Sequence, residues 1–129
     1  MYKLELLSTK DITETEEHSL DRVEWLKNII ISEGIWRIPL IVEKHSLAIM
    51  DGHHRFNVAK KIGLTRVPAI LLDYDQDNVM VGAWHEDMYI DKEIMLGNIR
   101  NKILFPYKTT RHIVSPSPEE LQIPLSFLY

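Results

Sequence analysis

Cysteine is absent from the 129 residues. That excludes a disulfide framework, a thiolate zinc site and a cysteine nucleophile. Long apolar runs are missing too. Runs such as Ile29-Ile30-Ile31 and Ala69-Ile70-Leu71-Leu72 are short, far below the roughly 20 residues that a bilayer-spanning helix needs. The start of the chain, Met1-Tyr2-Lys3-Leu4-Glu5, lacks the apolar block of a secretory signal. A cytoplasmic location with no membrane partner is therefore expected. Positive charge is in short supply as well: 15 Lys+Arg stand against 19 Asp+Glu, a formal net charge of -4. A surface devoted to nucleic-acid phosphates needs the opposite balance, so no nucleic-acid partner is expected.

What remains is the composition of a globular domain, with 45% hydrophobic and 26% charged residues. A chain of this length can build one core, and one domain over residues 1–129 is expected. The charge is unevenly spread. Between Ile94 and Pro118 there is no acidic residue, but there are Arg100, Lys102, Lys108 and Arg111, with His112 beside them. A basic segment in an acidic chain suits a small bound anion; a solvated loop has the same composition.

Hydrophobic spacing predicts the elements. A strand is expected near residues 3–8, and an acidic loop follows. Ser19 is placed to cap a helix that runs to about Glu33, with Gly34 closing it. Residues 39–42 and 47–50 read as paired strands, residues 56–62 as a second helix and residues 67–72 as a further strand. Strand, helix, hairpin, helix, strand is an α+β order. Beyond it, helices are expected over 79–86 and 91–101 and an extended segment over 104–110. Ser117-Pro118-Glu119-Glu120 has the cap, first-turn proline and third-position glutamate of a last short helix.

The strongest local signal is Met50-Asp51-Gly52-His53-His54-Arg55. Glycine between a strand and a helix lets backbone approach a ligand closely. The helix start offers unpaired N–H donors and a partial positive charge. Arg55 adds a guanidinium suited to phosphate oxygens, and His53 and His54 can donate as well. Together they describe a phosphate cradle.

A strand ending in Asp-Gly-x-His-Arg before an amphipathic helix resembles the ParB/sulfiredoxin superfamily. The resemblance implies an α+β fold with a small mixed sheet flanked by helices and nucleotide phosphates bound at this turn. Sulfinate repair is excluded, because it needs a cysteine. The helix-turn-helix domain that follows in ParB partition proteins does not fit in so short and acidic a sequence. The free L-serine kinase branch is the closer match. Glu16 and Glu17 precede Arg22 by six and five residues, Asp51-Gly52-His53-His54-Arg55 forms the turn, Trp84 lies downstream, and Lys108-Thr109-Thr110-Arg111-His112 closes the set. The order covers roughly residues 3 to 125.

That resemblance implies transfer of the terminal phosphoryl group of ATP or ADP to the hydroxyl of free L-serine, giving O-phospho-L-serine. Such chemistry needs phosphates held, charge neutralised and the hydroxyl aimed in line. Gly52, His53, His54 and Arg55 are assigned to the phosphates. Asp51 is assigned a catalytic role, orienting either Mg²⁺, which favours hard oxygen ligands, or the acceptor. The family's catalytic glutamate falls six residues before the matching arginine, which selects Glu16 over Glu17 as the base. Lys108, Thr110 and His112 are assigned to serine, with Arg111 as a further cationic donor and Trp84 as a wall. In an extended tail Lys108, Thr110 and His112 share a face and Arg111 points away. A nucleotide-binding module without transfer, and a kinase for another small hydroxyl compound, are the alternatives. Asp73-Tyr74-Asp75-Gln76-Asp77 lacks the glycine and glutamate of an EF-hand loop, since Asn78 and Trp84 stand at those places.

Overall fold

The computed structural model describes residues 2–129. Strand β1 (Leu4–Ser8) leads through the acidic loop to helix α1 (Leu20–Glu33). The Ser19 side chain accepts the Arg22 N–H at its start, and Gly34, at φ +69°, closes it. Strands β2 (Ile35–Trp36), β3 (Leu40–Glu43) and β4 (Ile49–Asp51) follow, then helix α2 (His53–Lys61) and strand β5 (Arg66–Leu72). The central sheet has the order β1-β5-β3-β4. It is mixed: β1 is antiparallel to β5, β5 parallel to β3, and β3 antiparallel to β4.

Alternation in β3 divides the core. Leu40 and Val42 face α1 and α2, where they meet Trp36, Ile49, Phe56 and Val58. Ile41 faces the other way and packs with Met50, Ile70 and Leu72. That second face is covered by a ribbon of β6 (Val79–Ala83) and β7 (Thr110–Val114), whose Val79 and Val114 lie on it. Helix α3 (Lys92–Asn101), capped by Asp91, sits between these strands in the chain, and its Met95 clusters with Ile90 and Phe105 against Val81 and Ala83 of the ribbon. Strand β8 (Ile123–Pro124) pairs with β2 and ends in a single 3-10 turn. Among the described residues no helix is long and apolar enough to cross a membrane.

Two expected helices are absent. Residues 79–83 form a strand, because their valines gain a partner about thirty residues downstream that no local pattern reveals. Residues 117–120 are irregular despite the capping signature. Leu121 already donates to the Arg37 carbonyl, and Ile123 pairs with Trp36, so the chain must stay extended there. The extended tail also starts later than expected, at Thr110 rather than Leu104.

Candidate active site

Helix α2 differs from its neighbours at its N-terminus. Ser19 and Asp91 cap α1 and α3, but Gly52 provides no side-chain cap for α2. The first-turn N–H groups are thus left for an anion. Gly52 has φ +112°, which side chains rarely adopt. A Cβ there would lie 2.6 Å from Leu40 Cδ2 and 3.1 Å from Arg55 Nη2. The guanidinium therefore lies directly against bare backbone. Arg55 is mostly buried, its Nη2 3.5 Å from Asp51 Oδ2, while its Nε has no partner among the described residues. Burial draws the Arg55 pKa below its ordinary value, and Asp51 opposes that shift.

The two histidines differ from expectation. His53 Nε2 accepts the Thr15 N–H at 3.1 Å, and His54 Nε2 accepts the Ser19 N–H at 3.1 Å. Both rings tether the acidic loop to α2, and their protons fall to Nδ1. Burial lowers the His53 pKa to about 4. Burial also lowers that of His54, helped by Arg22, His18 and Arg55. The cation of this turn is thus Arg55 and not an imidazole.

The tethered loop delivers Glu16. Its backbone bridges to Phe105. Its carboxylate accepts the N–H groups of Lys108, Thr109 and Thr110 at 3.2, 3.2 and 2.7 Å, and the Thr110 hydroxyl at 2.9 Å. Glu17 lines a smaller pocket with Glu14, Glu16, His18, Leu20 and Leu104.

Along β7 the side chains alternate: Thr110 is buried and Arg111 exposed. Lys108 precedes the strand at φ +58°, so the alternation does not reach it. Arg111 still reaches the site, since its guanidinium stands 4.8 Å and the Lys108 ammonium 5.4 Å from the Trp84 ring centre. Trp84 is 48% exposed, so it is a rim residue and not part of the core. His112 Nε2 lies 2.8 Å from the Tyr74 hydroxyl, and its Nδ1 has no partner among the described residues. Burial lowers its pKa to about 3, which makes it a neutral group and not the cationic donor expected.

All eleven residues singled out in the sequence line one cleft of about 780 Å³: Glu16, Asp51, Gly52, His53, His54, Arg55, Trp84, Lys108, Thr110, Arg111 and His112. Sequence reasoning used Arg22 only as a spacing landmark, and gave no site role to it, to Tyr107 or to the apolar lining residues Leu26, Ile38, Ile41 and Met50. Tyr107 stood next to the tail motif, and its ring meets His54 edge-on at 5.5 Å. Arg22 lies in the first turn of α1, three residues after the Ser19 cap, and no local pattern gives it a ligand role. The charged lining residues are Arg22, Arg55, Lys108 and Arg111 against Glu16 and Asp51. A positive cleft in a chain of charge -4 concentrates an anionic ligand. No group of three or more His, Cys, Asp or Glu able to hold a metal occurs among the described residues. Asp51, whose side chain is 60% exposed, fits only a cation that brings its other ligands with it.

The mixed sheet and its flanking helices define a small α+β domain with a glycine-led, uncapped helix end beside an arginine. The model of the ParB N-terminal domain matches residues 2–88, and the chain belongs to that family. A ParB-like protein of Sulfolobus acidocaldarius is 36% identical over 94 residues, covering 72% of this chain and 46% of the relative. An ATP-dependent L-serine kinase of Staphylothermus marinus is 33% identical over 84 residues, covering 62% of this chain and 33% of the relative. The chain thus spans less than half the length of these two proteins. A solved free serine kinase in complex with AMP superimposes with a TM-score of 0.88 at 15% identity, over 99% of this chain and 93% of that one. At that identity the superposition speaks for the fold.

Proposed function

We propose that this chain transfers the terminal phosphoryl group of ATP or ADP to the hydroxyl of free L-serine, giving O-phospho-L-serine. The observation that carries the reading is the opening of an uncapped helix end with Arg55 and of the Glu16 carboxylate onto one cleft. The similarity to a relative named as an L-serine kinase supports the choice of acceptor.

In this reading the first-turn N–H groups of α2 and the Arg55 guanidinium hold the donor phosphates. Lys108 and Arg111, braced on Trp84, meet the carboxylate of the amino acid. His112 contributes a neutral contact. Glu16 accepts the hydroxyl proton as the serine oxygen attacks phosphorus and the phosphoanhydride bond breaks. Asp51 is the residue that would hold Mg²⁺, which would supply charge neutralisation at the donor phosphates.

The test is incubation with Mg²⁺, serine and either nucleotide, read by mass spectrometry. Phosphoserine is expected. Loss of a general base costs about 10²- to 10⁴-fold, so Glu16→Gln lowers turnover by at least ~100-fold with nucleotide affinity nearly unchanged. Nucleotide binding without phosphoserine from the wild-type protein would assign the cleft to a binding module. Product from a different hydroxyl compound would change the acceptor alone.

A further inference from the structure

We infer that Thr110 is a positioning residue for Glu16: with two backbone amides its hydroxyl locks Oε1, and Oε2 is the oxygen that takes the acceptor's proton. This rests on the kinase reading above. The two carboxylate oxygens are treated unequally. Oε1 receives the Thr109 N–H at 3.2 Å, the Thr110 N–H at 2.7 Å and the Thr110 O–H at 2.9 Å. Among the described residues Oε2 receives only the Lys108 N–H, at 3.2 Å. A carboxylate oxygen offers two lone pairs. Oε1 is therefore saturated, and Oε2 keeps an acceptor position.

The surroundings hold this arrangement rigidly. Lys108, at φ +58°, bends the chain so that successive N–H groups point the same way, as in an anion-binding nest. The Thr109 hydroxyl donates to the Pro106 carbonyl at 2.6 Å and braces the bend. Thr109 and Thr110 are both buried. At the other end, the Glu16 backbone is fixed against Phe105. The carboxylate is thus held from both sides, and alignment of a reacting group within fractions of an ångström is what such support provides.

A hydroxyl has one hydrogen, and Thr110 gives it to Glu16. That hydrogen is not available to the serine carboxylate. In the step itself, the serine O–H proton passes to Oε2 and the serine oxygen bonds to the terminal phosphorus. The bond from that phosphorus to its bridging oxygen breaks, and the electron pair leaves with the shortened nucleotide.

The experiment compares Thr110→Val and Thr110→Ser with wild type in the full chain, varying serine and nucleotide separately. Thr110→Val is expected to lower kcat about tenfold or more, with serine KM and nucleotide affinity within twofold, and Thr110→Ser to restore most of the loss. Thr110→Ala supplies the same loss of hydroxyl if the valine variant does not fold. A raised serine KM at unchanged kcat, or no change in either, would overturn the assignment. A second readout does not need turnover. The ¹³Cδ resonance of Glu16, identified by its loss in Glu16→Gln, should move in Thr110→Val; a fixed resonance contradicts the anchor. If wild type forms no phosphoserine, the kinase reading fails, while the resonance still decides whether Thr110 holds Glu16.

Discussion

Gly52→Ala separates backbone strain from steric fit at the phosphate turn. At φ +112° an alanine is strained by about 1–2 kcal/mol. Its Cβ would also lie 2.6 Å from Leu40 Cδ2, and Leu40 has no exposed surface across which to retreat. Overpacking of this kind costs about 1–3 kcal/mol. The sum is about 2–5 kcal/mol. Unfolding entropy of about 2.1 cal/mol/K per residue gives about 0.27 kcal/mol/K for 129 residues, so the melting temperature should fall by about 7–18 °C. Gly63→Ala is the control. Gly63 has φ +82°, and a Cβ there meets nothing within 4 Å. Only the strain applies, and a fall of about 4–7 °C follows. The variants should also differ in ligand binding. The new methyl at residue 52 would lie 3.1 Å from Arg55 Nη2 and push the guanidinium from its place. ADP affinity measured by titration calorimetry should fall at least tenfold in Gly52→Ala and stay near wild type in Gly63→Ala. The reasoning is refuted if the two variants melt within about 2 °C of each other and bind ADP equally well.

Two further outcomes follow from the same turn. The unfolded chain protonates His53 near the ordinary value of 6.5, the folded chain only near 4. Stability is therefore complete above 6.5 and lost as pH falls towards 4, by about 2 kcal/mol between pH 7 and 5 for this group. Urea midpoints across that range measure the loss, and His53→Gln should flatten it. Arg55→Lys should not preserve nucleotide affinity, because an ammonium lacks the planar fork that lies against Gly52. Calorimetry that finds wild-type affinity in this variant contradicts the placement.

Much of this architecture was legible because local chemistry and tertiary structure agree. Ser19 caps α1 and Gly34 ends it, as the spacing implied. The Asp51–Arg55 turn stood out because glycine between a strand and a helix has few other uses. Elsewhere, contacts distant in the chain prevailed. Val79–Ala83 carries no helix because β7 pairs with it. Pro118-Glu119-Glu120 has a helical start, but the return of Ile123 to Trp36 leaves no room for a turn. The inward rotation of His53 and His54 was not legible either. Their acceptors' partners, the Thr15 and Ser19 amides, lie 38 and 35 residues away. Glu16 was distinguished from Glu17 only through a family spacing; its hydrogen bonds to the Lys108 and Thr110 amides join residues 92 and 94 apart in the chain, which no local pattern shows.

The most direct measurement is a crystal structure of the full chain with a non-hydrolysable nucleotide, Mg²⁺ and serine. The account predicts phosphates at the α2 N-terminus beside Arg55, and the serine hydroxyl within hydrogen-bond reach of Glu16 Oε2, about 2.6–3.2 Å. Serine bound elsewhere, or phosphates seated away from residues 52–55, would contradict it.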